Sequence, residues 1–99
     1  MAPIGLLARI EAKPEHAAEV EALLRGALDL ARAEEHTVSW FAFRENATTF
    51  GVFDTFHDEA GRRGHLEGRI AAALMGAAET MLASAPDIRP VDVLATKLP

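Results

Sequence analysis

His65 is the side chain with the widest chemical reach in this chain of 99 residues. An unperturbed imidazole titrates near ~6.5, so a histidine beside an aromatic strand can take a proton from an acidic phenol or enol at neutral pH. The competing structural role is to hydrogen-bond a carbonyl, cap, or pack at a helix break. Trp40, the only tryptophan, combines a large ring with a single N–H donor, which suits a flat aromatic ligand and equally a core or an interface. Phe41, Phe43, Phe50, Phe53 and Phe56 belong first to a core or interface, with one or two left to line a cavity. Asp54 shares a strand face with Phe50, Val52 and Phe56, so its carboxylate is partly buried and needs a partner such as Arg9 or Arg44. A structural ion pair is the favoured reading of Asp54.

Other candidate chemistries fall away on spacing. His57, Asp58 and His65 do not have the spacing of a metal site, and no metal is expected. Gly61, Gly64 and Gly68 are not spaced as a dinucleotide fingerprint. There is no Gly-x-Ser-x-Gly, and without cysteine there is no disulfide, thiolate metal site or cysteine nucleophile. His16, His36 and His57 read as solvent-exposed, and Arg62 and Arg63 as a solvated face.

The elements that must position these groups follow from periodicity. Ile4 to Ala12 alternates as a strand, and Pro14 then suits the first turn of a helix, where its missing N–H does no harm. Val20, Leu23, Leu24, Ala27, Leu28 and Ala31 recur at helical spacing, with Glu19, Arg25, Asp29 and Arg32 facing water, and this helix frays near His36. Val38 to Arg44 is the second strand and Asn46-Ala47 the hairpin tip before an antiparallel third strand from Thr48 to Phe56. In that third strand Phe50, Val52, Asp54 and Phe56 face one way and Thr49, Gly51, Phe53 and Thr55 the other. Asp58 stands at an N-cap with Glu59 in the first turn. The glycines predict a short helix to about Leu66, a break at Glu67-Gly68, and a longer helix carrying Ile70, Leu74, Ala77 and Met81. A last strand runs from Ile88 to Leu98, with Pro90 placing its beginning at an edge.

Strand, helix, strand, strand, helix, strand is the order of an α+β, ferredoxin-like split βαβ domain: a four-stranded antiparallel sheet with its helices on one face. Residues 1–99 form a single domain, long enough for one modest core. Both faces of the predicted strands carry bulky apolar residues, which predicts a homodimer joined sheet to sheet. A net charge of −5 argues against nucleic-acid binding. No segment reaches the ~18 apolar residues of a membrane span, and Met1-Ala2-Pro3-Ile4 lacks the features of a signal peptide, so no membrane partner and a cytoplasmic location are expected.

Phe53, Asp54, Phe56, Asp58, Glu59, Ala60, His65 and Leu66, together with Leu7-Ala8-Arg9-Ile10-Glu11-Ala12-Lys13-Pro14, resemble the antibiotic biosynthesis monooxygenase (ABM) domains, a branch of the dimeric α/β-barrel proteins. The resemblance spans nearly the whole chain. It implies a homodimer, a pocket near the helix-borne histidine, and a cofactor-independent monooxygenase acting on a small quinol, polycyclic phenol or anthrone. Oxygen chemistry normally uses a flavin, haem or metal. This sequence carries no motif for one, so no cofactor is expected and the deprotonated substrate itself would supply the electron. His65 is then the catalytic base, Trp40 and Phe53 are stacking walls, and Asp54 or Arg44 is the polar anchor. The alternative is a non-catalytic dimeric module that binds a small ligand or serves a stress response. Haem degradation, found among relatives of this fold, needs an asparagine on the first strand and a tryptophan and histidine in the second helical region. The first strand here has no asparagine, and His65 and Met75 stand where the other two would be.

Overall fold

The computed structural model describes residues 3–99; Met1 and Ala2, which open the N-terminal stretch considered above, lie outside them. Strand β1 (Ile4–Glu11) leads through a single 3-10 turn (Pro14–His16) into helix α1 (Ala17–Ala33). Lys13 is extended, as the residue before a proline prefers. The chain then forms β2 (Thr37–Arg44), β3 (Thr49–Phe56), α2 (Glu59–Leu66), α3 (Arg69–Ala78) and β4 (Asp87–Asp92). At the β2–β3 tip the Asn46 Oδ1 accepts hydrogen bonds from the backbone N–H groups of Thr48 and Thr49, the local bonding that suits asparagine to turns. The predicted break between the last two helices falls at Glu67 and Gly68.

The strands form one antiparallel sheet in the order β2-β3-β1-β4, the ferredoxin-like arrangement. Opposite residues share a face, so the register sorts every side chain. Leu6 lies opposite Asp54, Ala8 opposite Val52 and Ile10 opposite Phe50. With Val20 and Leu24 from α1, Leu74 from α3, and Ala12 and Leu82, these apolar residues form the main core. A smaller cluster of Ala27, Ala31 and Ile70 continues it. The helices therefore cover one face of the sheet.

The opposite face carries Leu7, Phe41, Phe43, Phe53 and Val91. Leu7, Phe41 and Phe43 remain 40%, 49% and 43% exposed. Gly51 lies opposite Phe43, and a Cβ there would meet the phenyl ring at 2.3 Å. Only glycine lets that ring lie down across the strand. The last strand is shorter than its apolar pattern predicts and stops at Asp92 instead of Leu98. The Val93 N–H donates to the Pro3 carbonyl, but Pro3 has no N–H with which to continue the ladder. The remaining chain borders the open face, where Val93, Ala95 and Leu98 join Phe41, Phe53 and Thr55 around a cavity of about 440 Å³.

Ile10 is fully buried at the centre of the core. Ile10→Ala is expected to lower unfolding free energy by about 2–5 kcal/mol, measured by urea denaturation.

Candidate functional site

Alternation along β3 turns Asp54 inward, between Val52 and Phe56, where it is 1% exposed. A charge so placed requires a partner. Helix α2 supplies it. The helix starts where Asp58 Oδ1 accepts the Gly61 N–H at 2.8 Å, and Glu59 occupies its first turn. Near its other end, buried His65 places Nε2 2.8 Å from Asp54 Oδ2 and Nδ1 2.6 Å from Glu34 Oε1.

Glu34 is the residue at which α1 ends, and its Oε1 also accepts the Thr37 hydroxyl at 2.6 Å. The turn carrying Glu34 can approach α2 so closely because that helix is glycine-rich on this side. A Cβ on Gly64 would lie 3.2 Å from the His36 ring. His36 is thus half-buried against α2 rather than solvent-exposed, and its Nε2 stands 3.9 Å from Glu34 Oε1. Arg62 is likewise drawn in from the expected solvated face: it bonds Glu59 and donates to the Gly5 carbonyl at 3.3 Å.

An ionised carboxylate only accepts hydrogen bonds, so a histidine held between two of them carries a proton on each nitrogen. Burial pulls the His65 pKa down, but the hydrogen bonds and charges of Asp54 and Glu34 outweigh it and raise the pKa to about 8. At neutral pH His65 is therefore an imidazolium that holds its proton, contrary to the free base expected from sequence. The Phe56 ring, 5.3 Å from the imidazole centroid to centroid, walls one side. The second carboxylate oxygen, Asp54 Oδ1, is buried and has no hydrogen-bond partner among the described residues. Asp54 and His65 border a cavity of about 40 Å³ whose walls include Leu6, Val52, Ile70, Leu74 and Ile88. A cavity of that size holds about one water molecule.

The structure thus brings Asp54 and His65 together and sets Trp40 beside Asp54 as its cross-strand neighbour, but separates Arg9, Arg44 and Phe53 from them. Asp54 pairs with His65, not with Arg9 or Arg44. Arg9 points to the opposite face and binds Glu45 at 2.7 Å. Arg44 lies opposite Phe50, four residues and so about 13 Å along β3 from Asp54, and is bound to Glu21. Trp40 lies opposite Asp54 and Phe41 opposite Phe53. Trp40 and Phe53 therefore stand on opposite faces of the sheet and cannot wall one slot. Glu34 was missed altogether. Its signal was electrostatic: an acid at a helix C-terminus opposes the helix dipole, and such a misplaced charge points to a tertiary partner.

The pattern of the antibiotic biosynthesis monooxygenase family matches residues 3–77. The chain belongs to that family. Among solved structures, this ABM protein is similar to the NE2512 protein of unknown function from Nitrosomonas europaea, at 52% identity and a TM-score of 0.96, covering 100% of this chain and 96% of the other. It is also similar to PA3566 from Pseudomonas aeruginosa (25% identity, TM-score 0.81, 96% and 97% covered). Rv0793 from Mycobacterium tuberculosis, at 16% identity, shares the fold (TM-score 0.82, 96% and 98% covered). No functionally curated protein matches the chain. Among the described residues, no helix is long and apolar enough to cross a membrane, and no group of three or more His, Asp or Glu side chains is placed to hold a metal ion. Asp54 and Glu34 bind opposite nitrogens of one ring and so do not converge on a common point.

Because the folded pKa of His65 lies above the unfolded value of 6.5, its stabilising contribution is complete below pH 6.5. It is lost as pH rises through about 8. The shift corresponds to about 2 kcal/mol. Unfolding free energy measured from pH 6 to 9 is expected to fall across that window. The fall should be absent in His65→Gln, and Glu34→Gln should lower the His65 pKa read by NMR titration.

Proposed function

We propose that this ABM protein is a cofactor-independent monooxygenase for a small quinol, polycyclic phenol or anthrone. The observation that supports it is the unpartnered, buried Asp54 Oδ1 beside a positively charged histidine in an otherwise apolar interior. A carboxylate oxygen in that position accepts a phenolic or enolic proton, and water-poor walls favour a delocalised anion over competing solvent reactions. In this reading Asp54 is the proton acceptor. His65 holds it in place and balances its charge, and Glu34 fixes the imidazole, a division that moves the base assignment from His65 to its partner.

The anion then passes one electron to dioxygen, and the resulting radical and superoxide combine into a peroxide anion, which takes back the proton held by Asp54 to become a hydroperoxide. For an anthrone, loss of water leaves a carbonyl, so one oxygen atom enters the product and the other leaves as water. Dioxygen takes up four electrons in all, and the two C–H bonds of the oxidised methylene supply them, so no other reductant is required.

A homodimer is the second part of the proposal. Leu7, Phe41, Phe43, Phe53 and Val91 present an apolar sheet face of the kind that monomers rarely leave open. The non-catalytic binding module is the competing reading, and the small volume beside Asp54 favours it, because a space of about 40 Å³ does not admit a fused-ring substrate as it stands.

Oxygen uptake over a panel of naphthoquinols and anthrones, corrected for spontaneous oxidation, tests the catalytic reading. Saturable uptake is expected, reduced about 10²–10⁴-fold in Asp54→Asn; binding without any uptake would support the module instead. Sedimentation is expected to show a dimer at micromolar concentration that Phe41→Lys converts to monomer.

A further inference from the structure

A larger concavity lies between α1 and the edge strand β2. It encloses about 440 Å³, with Leu24, Trp40, Phe43 and Phe50 among its apolar walls and Glu21, Arg25 and Arg44 supplying its charge. That volume is in the range of small-molecule sites. Leu24 also borders the small cavity beside Asp54 and is the only side chain common to both linings. The groove adjoins the interior cluster, since Trp40 in its wall is the cross-strand neighbour of Asp54, but Asp54, His65 and Glu34 are not in its lining and its charges are its own.

Its charges do not balance. Glu21 accepts from Arg25 Nε at 2.9 Å and is also the ion-pair partner of Arg44. One carboxylate thus serves two guanidinium groups, leaving one positive charge uncompensated in a chain whose net charge is −5. Two guanidinium groups also offer more N–H donors than a single carboxylate can accept, and their planar fork matches another acid. The Arg44 guanidinium stands 5.8 Å from the centroid of the Phe50 ring, close enough for the ring to hold it by a cation–π contact. We propose that this groove binds a flat aromatic monoanion of about two fused rings bearing a carboxylate or sulfonate, with the rings against Trp40 and the acid on Arg44, which Phe50 holds from below. A neutral phenol would fill the same volume but leave the excess positive charge unmatched. Trp40, Phe50 and Arg44 lie on the helix-covered face, so a second copy packed on the open face would border the groove at Phe41 and Phe43 without displacing these three.

Calorimetric titration with 2-naphthoate and its neutral isostere 2-naphthamide tests the proposal on the intact protein. The naphthoate is expected to bind about tenfold or more tightly than the amide. It should also shift the indole N–H resonance of the single tryptophan. Arg44→Gln is expected to abolish the preference for the anion. Glu21→Gln, which removes the competing acid, should raise naphthoate affinity severalfold and leave the amide unchanged. Equal affinities for the two probes, an unmoved indole signal, a preference that survives Arg44→Gln, or no naphthoate binding at millimolar concentration would each overturn it. Binding is read without oxygen consumption, so loss of uptake in the monooxygenase assay leaves this result standing, and failure here leaves that assay intact.

Discussion

A protonated histidine held between two carboxylates joins three parts of this chain that are distant in sequence. Asp54 comes from the central strand β3, His65 from the first helix that follows it, and Glu34 from the turn that ends α1. Each acid alone would carry a heavy desolvation cost in this interior. The imidazolium is shared by both, and its two N–H groups at opposite ends of one rigid ring fix the distance between strand and turn. The glycines of α2 belong to the same constraint, because a side chain at Gly64 would press into His36 and push away the turn that carries Glu34.

That arrangement also governs what the site can do. A histidine with one free nitrogen would exchange protons with whatever enters; here both nitrogens are committed, and the open lone pair belongs to Asp54 Oδ1. The ion cluster and the aromatic groove near Arg44 adjoin at Trp40, the cross-strand neighbour of Asp54, and Leu24 alone touches both spaces.

Most of the fold was legible because it depends on periodicity. The inward set Phe50, Val52, Asp54 and Phe56, the cap at Asp58, the helix break at Glu67-Gly68 and the asparagine turn all follow from local rules that nothing distant overrides. The end of β4 was not legible, because it depends on Pro3, the residue just before the neighbouring strand β1. The site was legible only in part. Sequence marked Asp54 as a buried acid and His65 as the candidate titrating group, but it gave no way to pair them, since the choice among Arg9, Arg44 and His65 is made by register. A shift of one position between Trp40 and Phe41 decides which ring shares a face with Asp54, and period alone cannot set that shift between two strands that are apolar on both sides.

The break at Gly68 divides the cover of the sheet into halves held by different forces. Helix α2 is pinned by short, directed bonds between charges, whereas α3 meets the sheet through Ile70 and Leu74. Directed charge pairs answer to acidity, while non-directional apolar contact answers to temperature, pressure and cosolvent. Two adjoining helices of one small domain are therefore coupled to separate properties of the surrounding solution, and a change that loosens one leaves the forces on its neighbour as they were.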